Sequence, residues 1–234
     1  MLVAAAVCPA PPLLVPEVAA GAAAELGDAR TACSDALAVL AASRPDLLVV
    51  VGAADQDHGG PYPQGARGSF RGHGVELDVQ LGDGDEGPRL LPTSLAVGAW
   101  LLRGARWGAA PVEGLGVAEL ETEQCLRAGR DLAARDARVA LLVMGDGSAC
   151  RTLKAPGYLD ERAAGFDAAA ARALGSADTA ALAALDVDLA RRLKAAGRAP
   201  WQVLAGAAEG AGLDGRLLYE DAPYGVGYFV AAWS

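Results

Sequence analysis

Three stretches of the chain are almost continuously apolar, and each is short enough to form a single strand. They are Val3–Val7, Asp46–Ala53 (DLLVVVGA) and Arg138–Met144 (RVALLVM). Apolar runs of this length are typical of strands that are covered on both faces, and the second run is also rich in β-branched residues. Val75–Leu81 (VELDVQL) instead alternates apolar and polar positions, which predicts a half-buried strand. A further strand is predicted at Val112–Val117.

Alanine- and leucine-rich segments alternate with these strands and predict helices. The predicted helices are Val15–Ser43 with a break near Gly27, Thr93–Arg103 with Thr93 as N-cap, Glu121–Arg135, Asp160–Leu174, Ala177–Leu185, Asp186–Ala196, and Pro200–Glu209 with Pro200 in its first turn. Residues 55–73 are rich in Gly, Pro and Asp and are predicted to be a loop. The chain closes with two predicted strands, GRLLYE and GVGYFVAAW, around a Pro-Tyr-Gly turn.

This alternation predicts an α/β fold. No internal repeat or long linker divides the chain, so we expect residues 1–234 to form one domain. Its central sheet is expected to be mixed and mostly buried, with helices on both faces. In such sheets, binding sites gather where strands end and loops diverge. Three loops fit that description: those after Val7 and after Met144, and the one between Glu220 and Gly225.

Composition narrows the classes of function. The net charge is −9 and the isoelectric point about 4.7. This argues against binding a nucleic-acid backbone, which needs clustered Lys and Arg, and against binding an anionic membrane surface. The four cysteines, at positions 8, 33, 125 and 150, have neither zinc-ligand nor disulfide-framework spacing, so we expect reduced thiols in a cytoplasm. No apolar run reaches the ~18 residues that a membrane span needs.

The loop after the first strand begins with a stiff corner. The apolar run ends at Pro9-Ala10-Pro11-Pro12. Because proline fixes the backbone angle φ, a corner of this kind holds its central residue in a defined position. Here that residue, Ala10, offers only a methyl group.

The three loops carry the segments CPAPPLLVPE, VMGDGSACRTLKAPGYLDERAAGFD and YEDAPYGVGYFVA. Together, in this order, they resemble the B-type class III extradiol ring-cleavage dioxygenases, and within that superfamily the branch that includes the Memo-like proteins. The resemblance covers nearly the whole chain. It implies an Fe(II) site made by two histidines and one carboxylate, with open positions for a catechol and O2. It also implies a further histidine that acts as acid and base.

The same resemblance places alanine where the family has histidine. The corresponding positions here are Ala10 for the first ligand, Ala54 or Asp55 for the second, Ala149 for the acid/base residue, and Glu220 or Asp221 for the carboxylate. An alanine cannot bind a metal, and a lone carboxylate holds Fe(II) weakly. We therefore expect no metal cofactor, and a non-catalytic or divergent homologue that binds a small molecule.

Two enzymatic alternatives stay open. The chain has two histidines, His58 and His73, both in a Gly-rich stretch where an exposed loop position is the simpler interpretation. The first alternative is an active Fe(II) ring-cleaving oxidoreductase with a displaced site built from Asp55, His58 and one of Glu220 and Asp221. The second is a metal-free reaction carried out by Asp146, Ser148 and the carboxylate pair.

Polar residues near the vacated positions predict a pocket bounded by residues 8–12, 145–154 and 220–224. We expect it to bind a small polar or anionic molecule. The candidate binding residues are Cys8, Pro12, Ser148, Arg151, Lys154 and Tyr224. Each also has a purely structural interpretation. Cys8 can be a buried thiol, Ser148 can form hydrogen bonds within its loop, and Arg151 and Lys154 can lie at a solvated loop edge. The competing expectation is a collapsed site filled by Leu13 or Cys150. A homodimer is also expected.

Overall fold

The computed structural model describes all residues from Met1 to Ser234. The strands, in chain order, are β1 (Leu2–Cys8), β2 (Leu47–Ala53), β3 (Gly60–Tyr62), β4 (Arg67–Ser69), β5 (Asp78–Gln80), β6 (Val112–Val117), β7 (Val139–Met144), β8 (Gly215–Asp221) and β9 (Tyr228–Trp233). The α-helices are α1 (Pro16–Ala19), α2 (Gly27–Ala42), α3 (Thr93–Gly104), α4 (Thr122–Ala133), α5 (Ala163–Gly175), α6 (Thr179–Ala183), α7 (Val187–Arg192) and α8 (Arg198–Ala207). No helix combines the length and apolar composition that a membrane span requires.

Seven strands form a mixed sheet in the order β3-β6-β2-β7-β1-β9-β8. The four central strands β6, β2, β7 and β1 are parallel, and β3, β9 and β8 join through antiparallel pairs. The three continuous apolar runs of the sequence are β1, β2 and β7, which lie side by side in the middle of the sheet. Helices cover both faces, and each face has its own apolar core. The predicted α/β architecture is confirmed.

The face opposite α2 and α3 is covered by α4, α5 and α8. α4 and α8 touch backbone to backbone, because both helices have glycine where they cross. A Cβ atom at Gly129 would overlap the Val203 carbonyl oxygen, and one at Gly206 would overlap the Leu126 carbonyl oxygen. Any side chain at either position would therefore push α8 away from α4.

Several predicted elements differ from the structure in position. Val75–Leu81 contributes only the short strand β5, which pairs with β4 in a separate two-stranded sheet. Its alternating apolar residues pack toward α3 and not in the main sheet. Thr93 is the first residue of α3 and not its N-cap, because Pro92 supplies the extended backbone before the helix. The helix predicted from Pro200 begins at Arg198.

Of two further predictions, the helix break agrees with the structure and the loop agrees only in part. The break expected near Gly27 is present, since a 3-10 segment over residues 20–26 precedes α2. Residues 55–73, predicted to be loop throughout, contain β3 and β4, which are three residues each. Strands this short carry too few side chains for a periodic pattern to be recognised.

One edge of the sheet collects the ends of five strands. The parallel strands β1, β2, β6 and β7 all end there, at Cys8, Ala53, Val117 and Met144. β8 runs in the same direction as β1, because β9 is antiparallel to both, so Asp221 also lies at this edge. We refer to it as the carboxyl edge.

Candidate functional site

The proline corner after β1 is held by Asp146, which follows β7. The backbone N–H of Ala10 donates a hydrogen bond of 2.8 Å to Oδ1 of Asp146. The N–H of Gly145 also donates to the carbonyl oxygen of Cys8, at 3.0 Å. The first and second predicted loops therefore meet at the carboxyl edge, and the carboxylate of Asp146 fixes the position of Ala10.

Asp146 has an unusual electrostatic environment. Burial raises the pKa of its carboxyl group to about 7, and the hydrogen bond from the Ala10 N–H opposes the rise only in part. Burial, together with the Asp146 charge, also raises the pKa of the Tyr228 phenol. A carboxyl group that titrates near neutrality is suited to proton transfer. Asp146 is thus the one predicted catalytic candidate whose charge state is poised for chemistry.

Ser148 lies in a different network centred on the buried Asp167 of α5. The Asp167 carboxylate accepts hydrogen bonds from the Ser148 N–H at 2.7 Å and from the Ser148 hydroxyl at 2.8 Å. The Arg151 guanidinium also donates to it, at 3.1 Å. Ser148 is 0% exposed, so its hydroxyl is committed to structure, and Arg151 is held by the same carboxylate. A metal-free reaction through Ser148 finds no support in this geometry.

Two glycines make room for the Asp167 carboxylate. A Cβ atom at Gly147 would lie 2.8 Å from one carboxylate oxygen, and a Cβ atom at Gly227 would lie 2.6 Å from the other. The backbones of the two segments are also joined, since the Gly147 N–H donates to the Gly227 carbonyl at 2.7 Å. The network therefore links α5, the loop after β7 and the start of β9.

The space around Ala149, where the resemblance implies an acid/base histidine, is filled. Ala149 and Cys150 are both buried, and the Cys150 thiol contacts the Leu193 carbonyl oxygen at 3.5 Å. On the other face of the sheet Cys8 is buried beside Cys33, and the thiol–thiol contact, with burial, raises the pKa of Cys8. Neither Cys8 nor Cys150 is open to a ligand. Leu13, the other residue expected in a collapsed site, is partly buried against the core.

The second and third predicted segments border a shallow cleft of about 410 Å³. It is lined by Arg151, Thr152, Glu220, Asp221 and Ala222. Its two carboxylates face an arginine that Asp167 already binds, so the cleft is not suited to an anion. Pro12, Lys154 and Tyr224 do not line it. Burial, and secondarily the nearby Glu25, raises the pKa of the Tyr224 phenol, which packs against the core.

The alternative metal ligands are not brought together. Nδ1 of His58 lies 2.6 Å from Oδ1 of Asp55, and this contact lowers the pKa of Asp55. β2, which precedes this pair, is separated from β8 by four strand spacings, or about 19 Å. Glu220 and Asp221 therefore cannot share a metal ion with His58. No group of three or more His, Cys, Asp or Glu side chains is arranged to hold a metal.

A compact pocket of about 300 Å³ occurs at the carboxyl ends of β2 and β6. Its floor contains Ala53 and Ala54, and Val117 forms one wall. Basic side chains from the α7–α8 segment, Arg191, Lys194 and Arg198, line it together with one carboxylate, Glu119. This pocket includes Ala54, one of the two positions at which the resemblance implies the second metal ligand; the other, Asp55, does not line it. We refer to it as the Ala54 pocket.

The basic residues of the Ala54 pocket differ in how far they are engaged. Arg191 is bound to Glu119 at 3.3 Å and to Asp188 at 2.7 Å. Arg198 is 5% exposed and donates to the Leu120 carbonyl at 2.6 Å. Lys194 has no carboxylate partner, and its ammonium group makes one long contact of 3.4 Å to the Pro156 carbonyl. Lys194 is therefore the group most available to a ligand.

Sequence reasoning missed Asp167, the centre of the buried network, and two basic residues of the Ala54 pocket, Lys194 and Arg198. Asp167 carried a detectable signal, because a single carboxylate within the apolar helix AAGFDAAAARAL must be paired when that helix is buried. Lys194 and Arg198 carried none. Their approach to Ala54 depends on how the α7–α8 segment packs over the carboxyl edge.

A solved structure has a similar fold. The crystal structure of an uncharacterised protein, JW3007 from Escherichia coli K12, matches with a TM-score of 0.54 and 14% sequence identity, over 99% of each chain. At this identity the likeness concerns the fold alone. No family model matches the chain, and no curated protein matches it.

The donor groups at the carboxyl edge do not fit the Fe(II) that the resemblance implies. We predict that protein incubated with Fe(II) or Zn(II) and then desalted retains far less than one equivalent of metal, because Ala10, Ala54 and Ala149 supply no donor atoms. Elemental analysis by mass spectrometry measures this. One tightly held equivalent that is lost in Glu220→Ala or Asp221→Ala would contradict the prediction.

Proposed function

We propose that this protein is a divergent relative of the class III extradiol dioxygenases that binds a small anionic molecule in the Ala54 pocket without a metal. The observation that carries the proposal is that this pocket has no metal-binding side chain at Ala54 but has basic side chains beside it. Ala54 is one of the two positions, with Asp55, at which the resemblance implies a metal-binding histidine; its side chain is a methyl group, and the adjacent α7–α8 segment supplies basic side chains to the pocket.

The position of the pocket supports a binding role. It lies between strands whose following helices pack on opposite faces of the sheet, α3 after β2 and α4 after β6. Loops diverge at such a point and leave a crevice, which is where α/β sheets bind ligands. The first turn of α8 also lines the pocket, and the amino end of a helix attracts negative charge.

Charge and volume together define the ligand class. A volume of about 300 Å³ lies at the lower end of the range for ligand pockets, so the ligand is small. The floor of the pocket is apolar, so polar contacts must come from its charged lining residues. Three of these are basic and one, Glu119, is acidic. A carboxylate or a phosphate group bound to Lys194 meets both requirements, because a charge-assisted hydrogen bond is stronger than a neutral one.

Binding can be tested with acetate and inorganic phosphate as probes and acetamide as the neutral comparison. We expect at least one anion to shift amide NMR signals of residues 53–55, 117–119 and 190–199, and acetamide to shift none. Lys194→Ala should raise the dissociation constant about tenfold, because a hydrogen bond to a charged group contributes roughly 1.5–3 kcal/mol. Ala54→Leu should abolish binding by filling the pocket.

Lys154→Ala is the matched control. Lys154 is an exposed lysine on the neighbouring loop, outside the Ala54 pocket. Removing it changes the net charge as Lys194→Ala does, but it should leave binding unchanged. Equal weakening by the two substitutions, or the absence of any anion-dependent shift around Ala54, would refute the proposal.

The four cysteines support a cytoplasmic location as part of the proposal. All four are buried and none forms a disulfide. Free thiols persist in reducing compartments.

A further inference from the structure

A second and larger cavity lies at the opposite edge of the sheet. It has a volume of about 850 Å³ and is bordered by the end of α3, the β4–β5 hairpin and the segment 106–112 that leads into β6. This volume is within the range of pockets that bind organic molecules. We refer to it as the hairpin groove. It shares no lining residue with the Ala54 pocket.

A fixed indole ring lines the hairpin groove. Nε1 of Trp107 donates a hydrogen bond of 2.9 Å to the Ala110 carbonyl, and the Trp107 N–H donates to the Leu102 carbonyl at 2.9 Å. The ring is half-buried against the core that contains α3. A ring held at both its backbone and its indole nitrogen offers a flat apolar surface at little entropic cost.

Arginine side chains line the same groove. The Arg106 guanidinium makes no hydrogen bond or ion pair within the chain, and the Arg103 guanidinium makes only a 3.3 Å contact to the Asp78 carbonyl oxygen. The third arginine, Arg67, is paired with Glu86. Of the two carboxylates that line the groove, Asp78 is already bound by Arg71 at 2.9 Å. Two guanidinium groups without a carboxylate partner therefore face one cavity of a chain whose net charge is −9.

Their place at the end of α3 accounts for positive charge, since cations stabilise the carboxyl end of a helix. It does not account for the cavity or for the anchored indole beside them. Guanidinium groups bind carboxylate and phosphate oxygens in a planar, paired geometry, and an indole packs well against another flat ring. The combination selects for a molecule that has both features.

We propose that the hairpin groove binds a planar aromatic anion, with its ring against Trp107 and its anionic group between Arg103 and Arg106. Aromatic carboxylates and mononucleotides share this chemistry. The site is separate from the Ala54 pocket, so the two proposals stand or fall independently.

The test uses the full chain at constant ionic strength and isothermal titration calorimetry. The probes are 2-naphthoate and AMP as the two kinds of aromatic anion, 2-naphthalenemethanol as a neutral ring and acetate as an anion without a ring. We expect one or both aromatic anions to bind at least tenfold more tightly than either comparison probe. Whichever of 2-naphthoate and AMP binds more tightly shows whether the groove prefers an aromatic carboxylate or a mononucleotide.

Variants assign the binding to the groove. Arg106→Ala should weaken binding of the aromatic anion about tenfold, and so should Arg103→Ala. Arg216→Ala, at an exposed arginine on β8 that lies outside the groove, is the matched control and should have no effect. Circular dichroism confirms that each variant is folded.

Three results would overturn the proposal. The first is the absence of binding by both aromatic anions at millimolar concentration. The second is equal affinity for the neutral ring, which would remove any role for the arginines. The third is loss of binding in Lys194→Ala but not in Arg106→Ala, which would place the ligand in the Ala54 pocket instead.

Discussion

Replacing Asp167 by alanine is expected to lower the free energy of unfolding by about 3–5 kcal/mol, which is the usual cost of removing one partner from a buried ion pair. The substitution leaves the Ser148 N–H and hydroxyl without an acceptor inside the protein. It also leaves Arg151 without its counter-charge. Native domains are stable by only about 5–15 kcal/mol, so this one change removes a large part of the total.

Urea unfolding measures the free energy of unfolding of Asp167→Ala, and two further variants serve for comparison. Arg151→Ala should cost less than Asp167→Ala, because the carboxylate keeps both donors from Ser148. Asp188→Ala removes a carboxylate that is 79% exposed and paired with Arg191, so it should cost at most about 1 kcal/mol. If Asp167→Ala is no more damaging than Asp188→Ala, the network does not stabilise the carboxyl edge as inferred.

Asp146→Asn is expected to make the protein more stable than wild type at pH 8, by about 1–3 kcal/mol. The pKa of Asp146 is about 7 in the folded state, against an ordinary value of 3.8. Between these values the unfolded chain releases a proton that the folded chain retains, so the wild-type stability falls as the pH rises toward 7. The full shift would correspond to roughly 4 kcal/mol, and partial solvent exposure of the side chain reduces it.

The asparagine variant isolates the charge. Its side-chain oxygen can still accept the hydrogen bond from the Ala10 N–H, so the corner should keep its shape. Urea unfolding at pH 5 and pH 8 should show a gain over wild type that is larger at pH 8. Asp188→Asn serves as the reference for an exposed carboxylate and should follow wild type at both values. A gain that is the same at pH 5 and pH 8 would mean that Asp146 does not titrate in this interval.

The sequence was most informative where local pattern and tertiary environment agree. Val3–Val7 and Val139–Met144 are apolar throughout because both faces of their strands are covered, and the structure places β1 and β7 side by side at the centre. Val75–Leu81 shows the limit of the same argument. Alternation indicates one buried face but not the partner that covers it, and here the partner is α3.

The candidate site was less predictable, for a physical reason. The corner at Ala10 and the loop containing Asp146 were located from sequence, and they do meet. The basic residues around Ala54 were not located from sequence. Lys194 comes close to Ala54 only because of how the α7–α8 segment packs at the carboxyl edge. A long-range contact of this kind leaves no periodic or local trace in the chain.

The position of β1 in the sheet has a consequence for the order of folding. This strand precedes every other strand of the sheet in the sequence, yet it pairs with β7 on one side and with β9, which includes Trp233, on the other. At about 5–20 residues per second, β1 emerges from the ribosome roughly 10–50 s before the strand that completes its pairing. During that time at least one edge of this apolar strand is unpaired, and unpaired strand edges make folding intermediates prone to aggregation. The carboxyl edge, with its proline corner, therefore cannot be completed until β9 has been made.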